Sequence, residues 1–169
     1  INGPDVTITS STFSGNTAIN TGGGIYFLGT SNLIVERCLF SFNIVNNARG
    51  GGISLEGGQG QDQYFINNTF FDNSAYLNEG TGINANGFDL FVKNSIFWSS
   101  EDVSPIFSYS LLDLEYSLIR NGTEWIIVGG TSNYGDGIID DDPLFVNTST
   151  TEYDFSLQPS SPAIDAGDP

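Results

Sequence analysis

Apolar and polar residues alternate along this chain in short runs that never settle into a helical period. Val6 and Ile8 alternate with Thr7 and Thr9; after a change of phase near Ser10, Ser11 and Phe13 turn inward. Period-two alternation marks a strand with one buried face. Ser14-Gly15-Asn16 makes a turn, Gly22-Gly23-Gly24 a corner, and Ile25 with Phe27 a second inward-facing strand. The unit then returns. Leu33, Val35, Cys38, Phe40 and Asn43 lead to Gly50-Gly51-Gly52-Ile53, and Phe65, Asn68, Phe70 and Asn73 lead to Gly80-Thr81-Gly82-Ile83. In the fourth unit Leu90, Val92, Ser95 and Phe97 persist, while Ser100 replaces the turn asparagine and Ser104-Pro105-Ile106 the glycine corner. A fifth strand, Leu112 to Ile119 with Ser117 in the small-residue position, keeps the register before the sequence changes character.

A step of 27 to 30 residues, with two or three short strands and a glycine corner in each, predicts a parallel β-helix. Each rung would pair with the next at about 4.8 Å. Aligned this way, Phe13, Phe40, Phe70 and Phe97 form a ladder closed by Ile119, and Ser11, Cys38, Asn68, Ser95 and Ser117 form a ladder of small residues. Burial would contribute roughly 1.5 to 3 kcal/mol per phenylalanine, and well-oriented ring pairs about 0.5 to 1.5 more. Asn16, Asn43 and Asn73 are expected to bond the backbone of adjacent turns. The expected organisation is all-β: about five coils over residues 1–120, then a last strand, a loop and a closing segment over 121–169. That segment is expected to lie over the end of the solenoid and shield the last rung's open edge. The rung at Val6 is left without a comparable cap.

Phe-x-x-Asn followed by Gly-Gly-x-Ile resembles the repeat of the chlamydial polymorphic outer-membrane proteins and, more broadly, the right-handed parallel β-helix proteins of the pectate-lyase-like superfamily. Further on stand Lys93-Asn94-Ser95-Ile96-Phe97-Trp98, Asp142-Pro143-Leu144-Phe145-Val146, Tyr153-Asp154-Phe155-Ser156-Leu157 and Ser161-Pro162-Ala163-Ile164-Asp165-Ala166-Gly167. These resemble the segment that closes bacterial secreted β-helix proteins, including those called choice-of-anchor Q domain proteins. The resemblance implies a right-handed, single-stranded parallel β-helix displayed outside a bacterial cell or on its surface. The superfamily holds lyases, hydrolases, adhesins and passive stalks, so fold alone does not choose among them.

Charge narrows the partners. Twenty Asp and Glu stand against four Lys and Arg, giving a formal net charge of −16. Such a surface repels phosphate backbones and anionic membranes, which excludes nucleic-acid binding as an expected role. It remains compatible with Ca²⁺, cationic partners and uncharged glycans. No apolar run reaches the roughly 18 residues of a membrane span. Cys38, the one cysteine, falls on a core position and is expected to be a small buried side chain. The sequons at Asn67, Asn121 and Asn147 matter only in a glycosylating host. The chain starts and stops inside recognisable patterns, which suggests a piece of a longer polypeptide.

Gly57-Gly58-Gln59-Gly60-Gln61-Asp62-Gln63-Tyr64-Phe65 matches the nonapeptide that holds Ca²⁺ in β-rolls. That site needs tandem copies, because each ion sits between successive turns, and a lone match in a glycine-rich chain is more often an insertion loop. Asp136, Asp140, Asp141 and Asp142 form the densest carboxylate cluster, a set of hard oxygen ligands. The competing reading has Asp140 and Asp142 making turns ahead of Pro143. Calcium through Asp62, Asp136, Asp140 or Asp142 is therefore the sole cofactor to consider.

Glycosidase chemistry needs two carboxylates about 5 to 10 Å apart across a sugar. The outward acids Glu36, Asp113 and Glu115 supply no pair on neighbouring rungs. A lyase of this fold would want a Lys or Arg base. Lys93 shares its register with Glu36 and Glu115, and its pairing with Glu115 reads as a surface ion pair worth about 0 to 1 kcal/mol. Ser-His-Asp triads and zinc sites lack the histidine they require. Ile34, Tyr64 and Phe91 fall one above another on the outward face, a candidate stripe for a glycan or a surface receptor unless the insertion at Gly57 covers it. The expected role is a non-catalytic adhesin or fibre domain that projects, binds, or self-associates through its uncovered N-terminal rung. The alternative is part of a carbohydrate-active lyase or glycosidase.

Overall fold

A computed structural model describes residues 5–149 and 152–168. Each of five successive coils gives one strand to each of three parallel sheets, and a sixth strand extends the first sheet. The first sheet stacks Val6–Thr9, Leu33–Glu36, Asp62–Ile66, Asp89–Lys93, Leu112–Glu115 and Ser132–Tyr134. The second stacks Thr12–Ser14, Leu39–Ser41, Thr69–Phe71, Ile96–Trp98 and Leu118–Ile119; the third runs from Ile25–Leu28 through Ile53–Glu56, Ile83–Ala85 and Ile106–Ser108 to Ile127–Val128. Two short 3₁₀ turns, Tyr76–Asn78 and Thr123–Trp125, are the helical elements among the described residues. Residues 121–137 were expected to hold one strand and a loop. They hold two strands, because Ile127–Val128 completes the fifth coil before Ser132–Tyr134 opens a sixth rung.

The first four rungs are held to one another by recurring side chains. Phe13, Phe40, Phe70 and Phe97 stack with centroids 5.0, 4.8 and 4.6 Å apart and ring planes within 8° of parallel. Phe40, Phe70 and Phe97 are buried; Phe13, at the N-terminal end, is only partly so. Beside this stack Asn43 and Asn73 are buried and bond up and down the solenoid. Asn43 Nδ2 donates to the carbonyl of Phe13 and to Asn73 Oδ1, at 2.8 and 2.9 Å, and Asn43 Oδ1 accepts from the backbone and side-chain nitrogens of Asn16. Asn73 Nδ2 donates in turn to the carbonyl of Phe40.

The corner between the first and second sheets is made the same way in all five coils. Ser10, Arg37, Asn67, Asn94 and Tyr116 each adopt a left-handed conformation, with φ between 44° and 57°. That backbone costs a non-glycine residue of order 1 kcal/mol. The cost is offset one residue later, where the small side chain turns inward and bonds its neighbour. Asn68 Oδ1 accepts from Cys38 N at 2.9 Å, Ser95 Oγ from Asn68 N at 3.1 Å, and Ser117 Oγ from Ser95 N at 3.1 Å. The glycine corner serves a different need. Gly50 has φ of 82°, but Gly52 is required for space: a Cβ there would lie 2.6 Å from the carbonyl of Gly82 and 3.1 Å from the Phe70 ring.

The closing segment does not cap the end of the solenoid. Phe145–Asn147 and Asp154–Leu157 pair antiparallel and lie along the flank, where Phe145, Tyr153 and Phe155 pack on Phe42 and Phe71 with centroids 4.4 to 6.5 Å apart. The reason is apolar area. Phe71 and Trp98 are register partners pointing out of the second sheet, and this aromatic surface needed a cover more than the last rung did. The C-terminal end is instead closed locally, by Ile126 and Ile138 packing on the core and by Ile139 bridging to Leu118. At the N-terminal end Ile8, Phe13, Ile25 and Phe27 are only partly buried, and Val6 and Leu28 are exposed.

Candidate functional site

The outward face of the first sheet gathers most of the chemistry. The register places Thr7, Ile34, Tyr64, Phe91, Asp113 and Asn133 in one column, and Thr9, Glu36, Ile66 and Lys93, followed by Glu115, in the next. Ile34, Tyr64 and Phe91 are half-buried in this column. The glycine-rich insertion packs at the preceding corner, where Gly60 N donates to the carbonyl of Gly87 and Gly58 lies against Phe88.

The two aromatic rings of the stripe face each other, with centroids 5.2 Å apart and planes inclined by 21°. Rings stacked between strands one rung apart have their normals along the solenoid axis, so their edges meet solvent. A ligand laid flat on the sheet would meet these edges; stacking on a ring face is open only at the ends of the column. There Phe91 is followed by Asp113, whose carboxylate accepts from Asn133 Nδ2 at 3.4 Å.

Acids line the stripe. Asp62 and Asp89 are register partners, so an acidic pair does stand on neighbouring rungs, about 4.8 Å apart along the axis. The repeat divides its third unit from its fourth between Asp89 and Leu90 and leaves Asp62 in the glycine-rich nonapeptide, so the pair is not evident from the repeat alone. Its signal was the equal spacing of Asp62 from Tyr64 and Asp89 from Phe91. Neither acid is free: Asp62 accepts from the Tyr64 hydroxyl at 3.0 Å, and Asp89 accepts from Leu111 N at 3.1 Å. The bond to Asp62 raises the Tyr64 pKa above the ordinary phenol value.

On the other margin Lys93 Nζ lies 3.5 Å from Glu115 and 2.7 Å from Asp168 of the closing segment. Asp168 N also donates to Asn94 Oδ1 at 2.9 Å. Lys93 thus fastens the closing segment to the first sheet. Its pKa is raised, chiefly by the hydrogen bond to Asp168; desolvation opposes this and Glu115 adds to it.

The remaining calcium candidates are scattered. Asp62 belongs to the stripe, Asp136 gives its backbone carbonyl to Tyr116 N, Asp140 faces Gly122, and Asp142 Oδ1 accepts from Leu144 N at 2.8 Å in a turn beside Pro143. Among the described residues no three His, Cys, Asp or Glu side chains converge as a metal-binding group. No helix of the described residues is long and apolar enough to cross a membrane.

No curated protein and no solved structure matches the chain. Residues 1–140 match the family model described as the right-handed β-helix region, and with three parallel sheets wound coil on coil the chain belongs to that family.

Proposed function

We propose that this chain is a non-catalytic β-helix domain of a bacterial surface adhesin or extracellular fibre, which projects from the cell and binds a partner on the outward face of its first sheet. The observation that carries this reading is the column Ile34–Tyr64–Phe91, in register and half-buried, with Asp62 and Asp89 on one margin and Glu36, Lys93 and Glu115 on the other. The face is acidic and edge-aromatic, which suits a cationic or uncharged surface partner, a receptor or a glycan, better than an anionic one. Self-association through the N-terminal rung belongs to the same reading, since three strand edges and the half-buried Phe13 stand at that end. The test is binding to immobilised host-surface proteins and glycans by the wild-type chain and by Tyr64→Ala and Phe91→Ala. Equal capture by all three would refute the stripe, and a monomer at every concentration in sedimentation would refute the self-association.

A second reading, a carbohydrate-active enzyme, is favoured by one observation: Asp62 beside Asp89 on adjacent rungs. Their spacing approaches that of a retaining glycosidase pair, about 5 Å. Turnover of any polysaccharide that disappears in both Asp62→Asn and Asp89→Asn would overturn the non-catalytic assignment.

A further inference from the structure

The closing segment is fastened at two places, by its aromatic cluster on Phe42 and Phe71 and by Asp168 on Lys93 and Asn94, and it bridges the corner between the first and second sheets. Beneath the bridge is a cavity of about 420 Å³, within the range of small-ligand sites, roughly 300 to 1,000 Å³. In a chain with twenty acidic residues, no Asp, Glu, Lys or Arg side chain among the described residues lines it. Its walls combine amides and hydroxyls with apolar surface: Asn67, Asn94 and Tyr116 from the corner column, Thr69 from the second sheet, Phe155 and Leu157 from the closing segment. The inward neighbours Asn68, Ser95 and Ser117 carry the ladder that holds the coils together, which leaves the side chains of Asn67 and Tyr116 outside that ladder. Phe155 is braced from behind by Phe71 and Phe145.

A shallower depression of about 390 Å³ shares Asn67, Thr69 and Phe155 with this cavity and continues past Arg37 to Ser10. The two follow the left-handed corner residues from Tyr116 to Ser10, four rungs or about 19 Å along the axis.

We propose that this corner groove is a binding site for a short neutral glycan, distinct from the stripe on the first sheet. Amides and hydroxyls both donate and accept, as sugar hydroxyls do. Phe155 and Leu157 match the apolar C–H faces of a pyranose ring. In the roofed part of the groove a charged ligand would find no acidic or basic side chain among the described residues to pair with, Arg37 lying beyond it in the shallower part. The length of the groove suits several sugar units.

The test is titration calorimetry of the full chain with cellotetraose, maltotetraose and tetra-N-acetylchitotetraose, with trigalacturonate as the anionic control. At least one neutral oligosaccharide is expected to bind, and trigalacturonate to bind at least about tenfold more weakly. Asn67→Gly, which keeps the left-handed backbone and deletes the amide, and Ala163→Trp, which fills the cavity, should each weaken binding about tenfold or more. Tyr76→Ala, at an exposed side chain away from both the groove and the stripe, should leave it unchanged. Circular dichroism and thermal melting establish that each variant is folded. The proposal is overturned if no neutral oligosaccharide binds at about 1 mM, if binding survives both groove substitutions, or if Tyr76→Ala weakens it as much.

Discussion

Replacing Asn43 tests how the coils are held together. Its side chain is fully buried and takes part in four hydrogen bonds reaching the coil below and the coil above. At a net value of about 1 kcal/mol each, Asn43→Ala should cost about 3 to 4 kcal/mol, somewhat less than the sum because exposed Asn16 can turn to water. Asn16→Ala removes a single side-chain bond at an exposed position and should cost about 0.5 to 1 kcal/mol. Asn43→Asp sharpens the test. It keeps the acceptor that Asn16 uses and replaces the amide donor with an oxygen facing the Phe13 carbonyl and Asn73 Oδ1, two acceptors. Burial and these oxygens favour the protonated acid, so the new carboxyl should have a folded pKa above its unfolded value of about 3.9. The native state then binds more protons than the unfolded state. Relative to wild type, the variant should be least impaired below pH about 4 and lose stability as pH rises toward the folded pKa, then level off. Urea unfolding followed by circular dichroism and by the fluorescence of Trp98 and Trp125 measures all three variants. An Asn43→Ala loss no greater than that of Asn16→Ala, or an Asn43→Asp penalty independent of pH, would refute the claim that this ladder carries load.

Phe70→Ala removes a ring stacked on both faces and should cost about 3 to 5 kcal/mol in the same urea experiment, whereas Phe13→Ala, stacked on one face and half-exposed, should cost clearly less. Gly52→Ala should destabilise by about 1 to 3 kcal/mol, because its Cβ would press on the carbonyl of Gly82; Gly29→Ala, with open space around it, should be near neutral. Lys93→Met should free the end of the closing segment and raise amide exchange over residues 152–168 without exposing the coils. Because the Lys93 pKa is raised in the fold, the wild-type contact is complete below the lysine's unfolded value of about 10.4 and is lost as pH climbs through the folded value. Exchange of this segment should accordingly increase at alkaline pH and vary little with the lysine below it.

The interior was legible because each coil is the template for the next. A side chain that stacks on its own counterpart one rung away must recur at the coil spacing, so Phe40 predicts Phe70, and Asn43 predicts Asn73. The docking of the closing segment was not legible, because it depends on two surfaces that carry no common period. Phe71 and Trp98 on one side, and Phe145, Tyr153 and Phe155 on the other, are each an aromatic excess at outward positions, and the match emerges only when both are placed. The stripe was legible as a column but not in its ring orientation. Strand spacing puts Tyr64 over Phe91, and only the side-chain torsions decide whether faces or edges meet the solvent.

That contrast says where function should be sought in a chain of this kind. A residue repeated on every rung is explained by the rung above and the rung below, as the buried asparagines are. A residue that breaks an outward column is not explained by the coil repeat. The first sheet's column passes from Ile34, Tyr64 and Phe91 to Asp113 and Asn133, and the first corner's outer column from Ser10 and Arg37 to Asn67, Asn94 and Tyr116. The corner column changes character between the second and third rungs and the sheet column between the fourth and fifth, and the closing segment is fastened between these changes, at Lys93 and Asn94 on the fourth rung. If the segment were only a cover for apolar area, its contacts with Phe42 and Phe71 would suffice. The polar fastening at Asp168 adds little to that burial, and what it does is hold a roof over a corner lined with uncharged groups. Lys93→Met should then weaken glycan binding in the corner while leaving the cooperative unfolding of the coils in place. Loss of both together would mean that the segment serves stability alone.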